Sequence, residues 1–451
     1  MSDTIAAVAT APGRGAVGIV RLSGPRAFEI IERMCGPATA ARQAALRTLG
    51  DGHGSALDQG LVLRFPGPHS FTGEDVAEMQ GHGGPVVLDA LLRATCALGA
   101  RVARPGEFSE RAFLNGRIDL AQAEAVADLI AASTDQAARA AQRSLSGEFS
   151  RRVTSLVEQL MQLRVHVEGA LDFSDEDVDW LADAGLASRL AGLRTGLDAL
   201  LADAAQGRRL REGITVALAG QPNVGKSTLL NALAGTDAAI VTDIPGTTRD
   251  LLRENVNLDG LPVTLVDTAG LRESADPVER IGVERAWQAM AQAELVLFLV
   301  DDRAGVTASD KQLLAKLPKS AEVLILRNKS DLAPQPPSIP SSHEAAYRGT
   351  ELQISAKHGA GLDLLKQAIR HAAGLEARNE SLFSARTRHV DALRRAREHA
   401  AAAAARLAER AHAELAAEDL RLAQDALGEI TGAVRTDDLL GRIFSQFCIG
   451  K

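Results

Sequence analysis

The chain has 451 residues, of which 46% are hydrophobic and 24% are charged, so it can form two or three ordinary globular domains. Its net charge of −8 excludes a protein basic enough overall to hold nucleic acid unaided. Three widely spaced cysteines exclude a disulfide framework. Because we recognise no leader peptide and no apolar run of about 20 residues, we expect a cytoplasmic protein without a membrane span.

Four stretches of different character follow one another along the chain. Up to residue 117, short apolar runs such as VGIVRL and GLVLRF alternate with Gly- and Pro-rich turns, which predicts a mixed α/β domain. Ala-rich sequence with helical spacing covers 118–212 and returns over 375–451, whereas 213–374 alternates apolar strands with helices. The predicted fold is multidomain, α+β and α/β: a doubly wound sheet inserted into a discontinuous helical domain, with two separate helical domains as the alternative.

The inserted stretch carries a phosphate-binding motif. GQPNVGKS (220–227) lies between the strand-like ITVALA and the helical TLLNALAG, the context that a P-loop requires. Backbone amides at the helix start are predicted to hold phosphate oxygens, and Lys226 to reach the β and γ phosphates. The hydroxyl of Ser227 is the predicted Mg²⁺ ligand.

Three later motifs complete a predicted guanine nucleotide site. DTAG (267–270) offers Asp267 to the magnesium ion and the Gly270 amide to the γ-phosphate. In NKSD (328–331), the carboxylate of Asp331 can accept from N1–H and the exocyclic amine of guanine, a pair of donors that adenine lacks. SAK (355–357) closes the base pocket through its backbone. Four motifs in this order at four strand ends predict a GTPase.

The residue that orients the attacking water is not at its most familiar position. DTAG is followed by Leu271, where Ras-like GTPases carry glutamine. Glu279 in DPVERIG is the candidate, with Arg272 and Glu273 as nearer alternatives and a purely surface role for Glu279 left open. No arginine finger is recognisable near the P-loop, so another cation is expected to meet the charge that develops during hydrolysis.

The chain ends in FCIGK (447–451), whose cysteine formally fits a C-terminal lipidation signal. Gly450 is not aliphatic, Lys451 is an unusual last residue for that signal, and no polybasic run precedes it. We therefore expect no lipid anchor and assign Cys448 a different role.

Taken together, these motifs resemble the MnmE (TrmE) family of tRNA-modification GTPases. The resemblance covers the whole chain, through GRGAVGIVRLSG, FTGEDVAEMQGHGG, RPGEFSERAFLNGRIDLAQAEA, the P-loop, IVTDIPGTTRD, DTAGLRE, NKSD and FCIGK. It implies an N-terminal folate-binding and dimerisation domain (1–117), a discontinuous all-helical domain (118–212 and 375–451) and an inserted Ras-like G domain (213–374).

The resemblance also implies partners and a reaction. A homodimer of the chain would join the FAD-containing partner MnmG in a heterotetramer, with tRNA as substrate. The two proteins would add a carboxymethylaminomethyl-type group to C5 of the wobble uridine. A tetrahydrofolate derivative, 5,10-methylene- or 5-formyl-tetrahydrofolate, would be bound, with the methylene form giving the one-carbon unit.

Individual residues acquire roles from the same resemblance. Glu279 would orient the water and act with Lys226 and Cys448 as catalytic residues, Cys448 as nucleophile, proton donor or packing group. Thr248 would complete the Mg²⁺ shell with Ser227. The remaining implied ligands are Asn223, Thr242, Ile244 and Thr247 for K⁺, and Arg21, Glu78, Arg117 and Lys451 for folate. Arg117 stands where some members have lysine, which changes the donor geometry.

The full GTP-binding set implied in this way follows the motifs. It consists of Asn223, Val224, Gly225, Lys226, Ser227, Thr228, Thr242, Asp243, Ile244, Pro245, Gly246, Thr247, Thr248, Asp267, Thr268, Ala269, Gly270, Asn328, Lys329, Asp331, Ser355, Ala356 and Lys357. Two other functions compete with this reading, a ribosome-assembly GTPase and a nucleotide-dependent scaffold without catalysis. The first often carries a KH module after the G domain, and no G-x-x-G occurs after residue 375.

Overall fold

The computed structural model describes residues 3–37, 40–172, 184–236, 253–267, 287–288, 290–318, 321–332, 351–375, 382–409, 412–434 and 437–450. Two compact units are present. The first comprises 1–127, 149–190 and 398–451, and the second comprises 128–148 and 191–397. The predicted Pro-rich loop at 334–342 lies outside the described residues.

A six-stranded sheet forms the N-terminal part of the first unit. Its strands are β1 (Ile5–Val8), β2 (Gly15–Ser23), β3 (Ala45–Gly50), β4 (Ala56–Phe65), β5 (Val76–Gly83) and β6 (Arg101–Val102). They lie in the order β3-β4-β5-β2-β1-β6, and all neighbours are antiparallel except β1 and β6. The predicted runs VGIVRL and GLVLRF fall in β2 and β4.

Two helices cover one face of this sheet because alternate strand residues on that face are apolar. They are α1 (Ala27–Cys35) and α2 (Pro85–Ala97), and a short helix α3 (Glu107–Leu114) follows β6. Strand residues such as Val20, Leu22 and Met79 share a buried core with Ile30 of α1 and Leu91 of α2.

The Ala-rich stretches are helical, as their spacing predicts. The helices are α4 (Leu120–Ala131), α5 (Asp135–Leu145), α6 (Glu148–Asp172) and α7 (Ala184–Glu212). Between α4 and α5 the helix is interrupted at Thr134, whose side chain caps α5 by accepting from the Ala137 amide at 3.1 Å. The run DLAQAEAVADLIAASTDQAARAAQ contains no glycine or proline, yet it forms two helices.

The sheet of the second unit is parallel apart from one edge strand. Its strands are β7 (Ile214–Gly220), β8 (Arg253–Leu258), β9 (Leu261–Asp267), β10 (Leu295–Asp301), β11 (Glu322–Asn328) and β12 (Glu351–Gln353), in the order β12-β11-β10-β7-β9-β8. The parallel strands match the predicted runs. The antiparallel β8 was not predicted, because RENVNL carries polar residues that suit an edge strand and lacks a continuous apolar run.

The strand order reverses at β7, which pairs with β9 on one side and β10 on the other. Open α/β sheets bind ligands beyond the carboxyl ends of their strands at such a switch point. The helices α8 (Lys226–Thr236), α9 (Ala308–Ala315) and α10 (Leu362–Ala372) flank the sheet. The P-loop, DTAG, NKSD and SAK begin at or just after the carboxyl ends of β7, β9, β11 and β12.

One buried carboxylate joins the chain segments that enter and leave this sheet. Asp128 accepts hydrogen bonds from Arg211, just before β7, and from Arg386, each at 2.7 Å. The hydroxyl of Ser384 donates to the same carboxylate at 2.7 Å. Because a buried charge needs such partners, Asp128 links the segment before β7 to the segment at 384–386 within the second unit.

The chain closes with the helices α11 (Thr387–Ala408), α12 (Ala413–Thr431) and α13 (Asp437–Phe444). Aromatic residues at the end of α13 anchor the C-terminus, since Phe444 and Phe447 pack with Phe113 and Leu120 in a buried cluster. Within the described ranges, no helix has both the length and the apolar character needed to cross a bilayer.

Candidate functional site

The P-loop has the backbone that its sequence predicts. Gly225 has φ +101°, and a Cβ at this position would come closer than 3.0 Å to the side-chain nitrogen of Asn328. Glycine is therefore required both by the backbone conformation and by the neighbour. The ammonium of Lys226 donates to the carbonyls of Gly220 at 2.9 Å and Gln221 at 3.1 Å.

The electrostatics of the P-loop lysine reflect two opposing influences. Burial lowers the pKa of Lys226, while the nearby carboxylate of Asp267 raises it and so limits the shift. Asp267 is buried at the end of β9, where it lies in register with Leu218 of β7. Ser227 is an exposed residue, and its hydroxyl and the carboxylate of Asp267 are hard oxygen donors, the type that Mg²⁺ prefers, so these residues fit the predicted ion.

Asn328 joins three of the predicted motifs. Its side-chain nitrogen donates to the Val224 carbonyl of the P-loop at 2.8 Å. Its side-chain oxygen accepts from the Ala356 amide of SAK at 2.9 Å. Asn328 is 3% exposed, so both hydrogen bonds are shielded from competing water. One side chain thus holds the P-loop, NKSD and SAK together at one edge of the sheet.

The carboxylate that is predicted to read the base is oriented by SAK. The Asp331 carboxylate accepts from the Ser355 hydroxyl at 2.6 Å, and His358 lies 3.6 Å from its other oxygen. The hydrogen bond from Ser355 lowers the pKa of Asp331, so the group is ionised at neutral pH. Asp331 is exposed to solvent, which leaves it accessible to a ligand. Ser355 of SAK thus contacts Asp331 through its side chain, while the backbone contact of SAK with the base stays a prediction.

Several predicted residues lie outside the described part of the chain. They are Thr242, Asp243, Ile244, Pro245, Gly246, Thr247, Thr248, Thr268, Ala269, Gly270, Leu271, Arg272, Glu273, Glu279 and Lys451. Their roles as ligands of K⁺, Mg²⁺, phosphate, water and folate stay predictions. Of the predicted K⁺ set, Asn223 is described: it is exposed in the P-loop, with φ +63°.

The C-terminal tail lies on the N-terminal part of the first unit. The Cys448 carbonyl accepts from the Gly106 amide at 3.3 Å, and Ile449 forms an isolated antiparallel bridge with Pro105. The Gly450 carbonyl accepts from Arg21 at 3.5 Å. Cys448 itself is exposed, with a free thiol. Gly450, the last residue that the structure describes, therefore lies beside Arg21.

Two of the predicted folate residues form a pair next to the tail. Arg21 donates to the carboxylate of Glu78 at 2.8 Å, and its guanidinium lies 5.9 Å from the ring centre of Phe108. Glu78 is 9% exposed, so Arg21 compensates a largely buried charge. Arg117 is exposed and passes close to Gly73. Arg21 and Glu78 supply the cationic and carboxylate groups that can pair with a polar heterocycle, and so fit a folate.

Comparison with known proteins decides the family. Models of the MnmE helical domain and of the GTP-binding protein TrmE N-terminus match residues 120–448 and 4–117. A tRNA modification GTPase MnmE from Stutzerimonas stutzeri is 55% identical over 100% of this chain and 99% of its own, and one from Ectopseudomonas mendocina is 54% identical over the same shares. The chain belongs to the MnmE family.

Among solved structures, Era from Aquifex aeolicus bound to GDP·AlF4⁻ is 28% identical over 41% of this chain and 66% of its own, with a TM-score of 0.30.

The four nucleotide motifs of this MnmE-family chain are found where the sequence predicts them, as far as the structure describes them. Sequence reasoning missed the pairing of Lys329 with Asp301, at 2.9 Å. The signal was present: Asp301 is the charged residue that ends the apolar run LVLFLVD.

Proposed function

We propose that this chain binds and hydrolyses GTP in its second unit and uses that cycle to modify the wobble uridine of tRNA. The supporting observation is the pair of hydrogen bonds by which Asn328 joins the P-loop to SAK. They bring the phosphate-binding loop and the base-reading Asp331 to one sheet edge. The ionised Asp331 favours guanine over adenine because only guanine offers two adjacent donors to it.

The P-loop residues bind and position the triphosphate. Lys226 would exchange its hydrogen bonds to the loop carbonyls for contacts with the β and γ phosphates. Ser227, Asp267 and Thr248 would hold Mg²⁺, which would supply positive charge to neutralise the phosphates. The amide oxygen of Asn223, with the loop at 242–247, would hold K⁺ where an arginine finger is missing. Glu279 would orient the attacking water.

The first unit supplies the modification site. Arg21, Glu78, Arg117 and Lys451 would bind a tetrahydrofolate derivative, which would supply the one-carbon unit, and the exposed Cys448 of the same tail would be the candidate residue to act on it. Support comes from the tail, whose Gly450 carbonyl contacts Arg21. In this scheme the domains are 1–117 for folate, 118–212 with 375–451 for the helical domain, and 213–374 for GTP.

The redox chemistry requires a partner. An FAD-containing protein, MnmG, would supply it in a heterotetramer with two copies of this chain in the cytoplasm. Homodimerisation through the N-terminal sheet is supported by two apolar side chains that oppose each other across β3 and β4, Leu46 and Leu61, which are 61% and 38% exposed. The group added to C5 of the uridine would be of the carboxymethylaminomethyl type.

Mass spectrometry of wobble uridines tests this proposal. A strain lacking the chain should lose the C5 modification, and the wild-type chain should restore it, whereas Lys226→Ala should not. Purified wild-type protein should hydrolyse GTP and the variant should not. Normal wobble uridines in the deletion strain would refute the tRNA function, and hydrolysis of ATP in place of GTP would refute the nucleotide assignment.

A further inference from the structure

Lys329 of NKSD has an unusual conformation that its neighbours must maintain. Its backbone lies in the left-handed region, with φ +67°, which is sterically unfavourable for a residue with a side chain. The adjacent Asn328 holds the backbone through its two side-chain hydrogen bonds. The long Lys329 side chain needs a separate anchor, because a lysine loses much rotamer freedom when it is ordered.

Asp301 provides that anchor. It ends β10 and lies in register with Asn328 of β11, so its side chain reaches the Lys329 ammonium at 2.9 Å. Arg303 binds the same carboxylate through two side-chain nitrogens, at 2.9 and 2.7 Å. These hydrogen bonds fix the orientation of Asp301 before any nucleotide is present. The hydrogen bonds from Arg303, and then that from Lys329, hold the pKa of Asp301 well below its usual range.

We infer that Asp301 is a positioning residue for nucleotide binding, acting through Lys329. With its ammonium pinned, the apolar stem of Lys329 is held ready to pack on the flat face of a purine. Without Asp301, that stem would have to be ordered when the nucleotide binds. Ordering one long side chain corresponds to an affinity loss of roughly fivefold. The inference rests on the proposed GTP binding.

The next residue offers a matched control. Asp302 is also acidic and also paired, but its ion-pair partner is Arg327, at 2.6 Å, whereas the ion-pair partner of Lys329 is Asp301. Asp301→Asn and Asp302→Asn each remove one negative charge from the same strand end. If long-range repulsion of the triphosphate were the only effect, both variants would bind nucleotide as well as or better than the wild type. If Asp301 positions Lys329, Asp301→Asn should instead weaken nucleotide binding, and Asp302→Asn should not.

Titration of the full-length protein with a fluorescent GTP analogue tests the inference. Asp301→Asn should weaken binding roughly fivefold, and Asp302→Asn should leave it unchanged. The KM for GTP should rise in Asp301→Asn while kcat stays the same. In a Lys329→Ala background, Asp301→Asn should have no further effect, because the residue through which it acts is gone.

A comparison of GTP with ITP distinguishes an effect of Asp301 through Lys329 from an effect through Asp331. The purine face is common to guanine and hypoxanthine, so Asp301→Asn should weaken GTP and ITP binding by the same factor. A changed GTP-to-ITP ratio would mean that Asp301 acts on Asp331 instead, and additive losses in the double variant would also overturn the inference. If the wild type binds GTP and Asp301→Asn binds it equally well, the inference fails while the proposed function stands. If the wild type itself does not bind GTP, the proposed function fails.

Discussion

Replacing Gly450 with alanine should release the C-terminal tail without unfolding the helix that precedes it. Gly450 has φ +95°, and an added Cβ would lie closer than 3.0 Å to the Val8 carbonyl oxygen and 3.1 Å from the Ala9 Cα. Both neighbours are backbone atoms, so no side-chain rotation can relieve the overlap. The backbone strain alone costs about 1–3 kcal/mol.

The contacts that hold the tail are of the same size as this cost. The hydrogen bonds to the carbonyls of Cys448 and Gly450 measure 3.3 and 3.5 Å, and each contributes about 1 kcal/mol or less. A penalty of about 3 kcal/mol lowers the ratio of docked to undocked tails by roughly a factor of 100. Phe444 and Phe447 stay buried, so α13 should remain in place.

Hydrogen exchange measures the release directly. The Gly106 amide, which donates to the Cys448 carbonyl, should exchange faster in Gly450→Ala, and binding of 5-formyl-tetrahydrofolate should weaken. Gly441→Ala is the matched control, because a Cβ there meets no atom within 4 Å and alanine favours the helix. Intrinsic GTP hydrolysis should be unchanged in both variants. Full protection of Gly106 in Gly450→Ala would refute the reasoning.

Four other outcomes follow from the site and the fold. Asp331→Asn should weaken GTP and favour xanthosine triphosphate, whose carbonyl replaces the amine donor; unchanged GTP affinity in a binding titration would remove Asp331 from the base pocket. Glu279→Ala should lower GTP turnover by roughly 10² with similar affinity, and equal turnover in a steady-state assay would assign the water to another residue. Hydrolysis should be faster in K⁺ than in Na⁺ because Asn223 lies in the proposed ion site; equal rates at matched ionic strength would contradict this. Burial raises the pKa of Glu107, but hydrogen bonds led by Arg101 outweigh it and lower the pKa to about 2. Because this folded-state pKa is depressed, the ionised group stabilises the fold above pH 4.5, and Glu107→Gln should cost roughly 3 kcal/mol at neutral pH. Urea unfolding should show that difference shrink as the pH falls from about 4.5 towards 2, and a constant difference would exclude the ion pair as its source.

The sequence predicted those parts of the nucleotide site that depend on short segments. A P-loop, NKSD and SAK each bring their own backbone geometry, so Lys226, Asn328 and Asp331 could be placed from spacing and from the strand that precedes each motif. The parallel strands followed from continuous apolar runs. The edge strand β8 was missed because its polar residues resemble a loop.

Contacts between distant segments could not be predicted in this way. Asp128 binds Arg386, 258 residues further along the chain, and no local pattern in either segment indicates the pairing. The same holds for Asp301 and Lys329, which meet only because β10 and β11 pair in a particular register. The docking of the tail was expected from the resemblance, but the atoms that Gly450 contacts required the structure.

The P-loop and the C-terminal FCIGK motif each contain a glycine that meets the same physical requirement. At Gly225 the side-chain nitrogen of Asn328, and at Gly450 the Val8 carbonyl, lies where a Cβ would project, and both glycines have positive φ. Glycine is needed at both positions because the positive φ disfavours a side chain and because a Cβ would overlap a neighbouring atom. Gly441 lies only nine residues before Gly450 and has no such neighbour, so alanine should be tolerated at that position. A motif glycine in this protein can therefore be tested by asking what an added methyl group would touch.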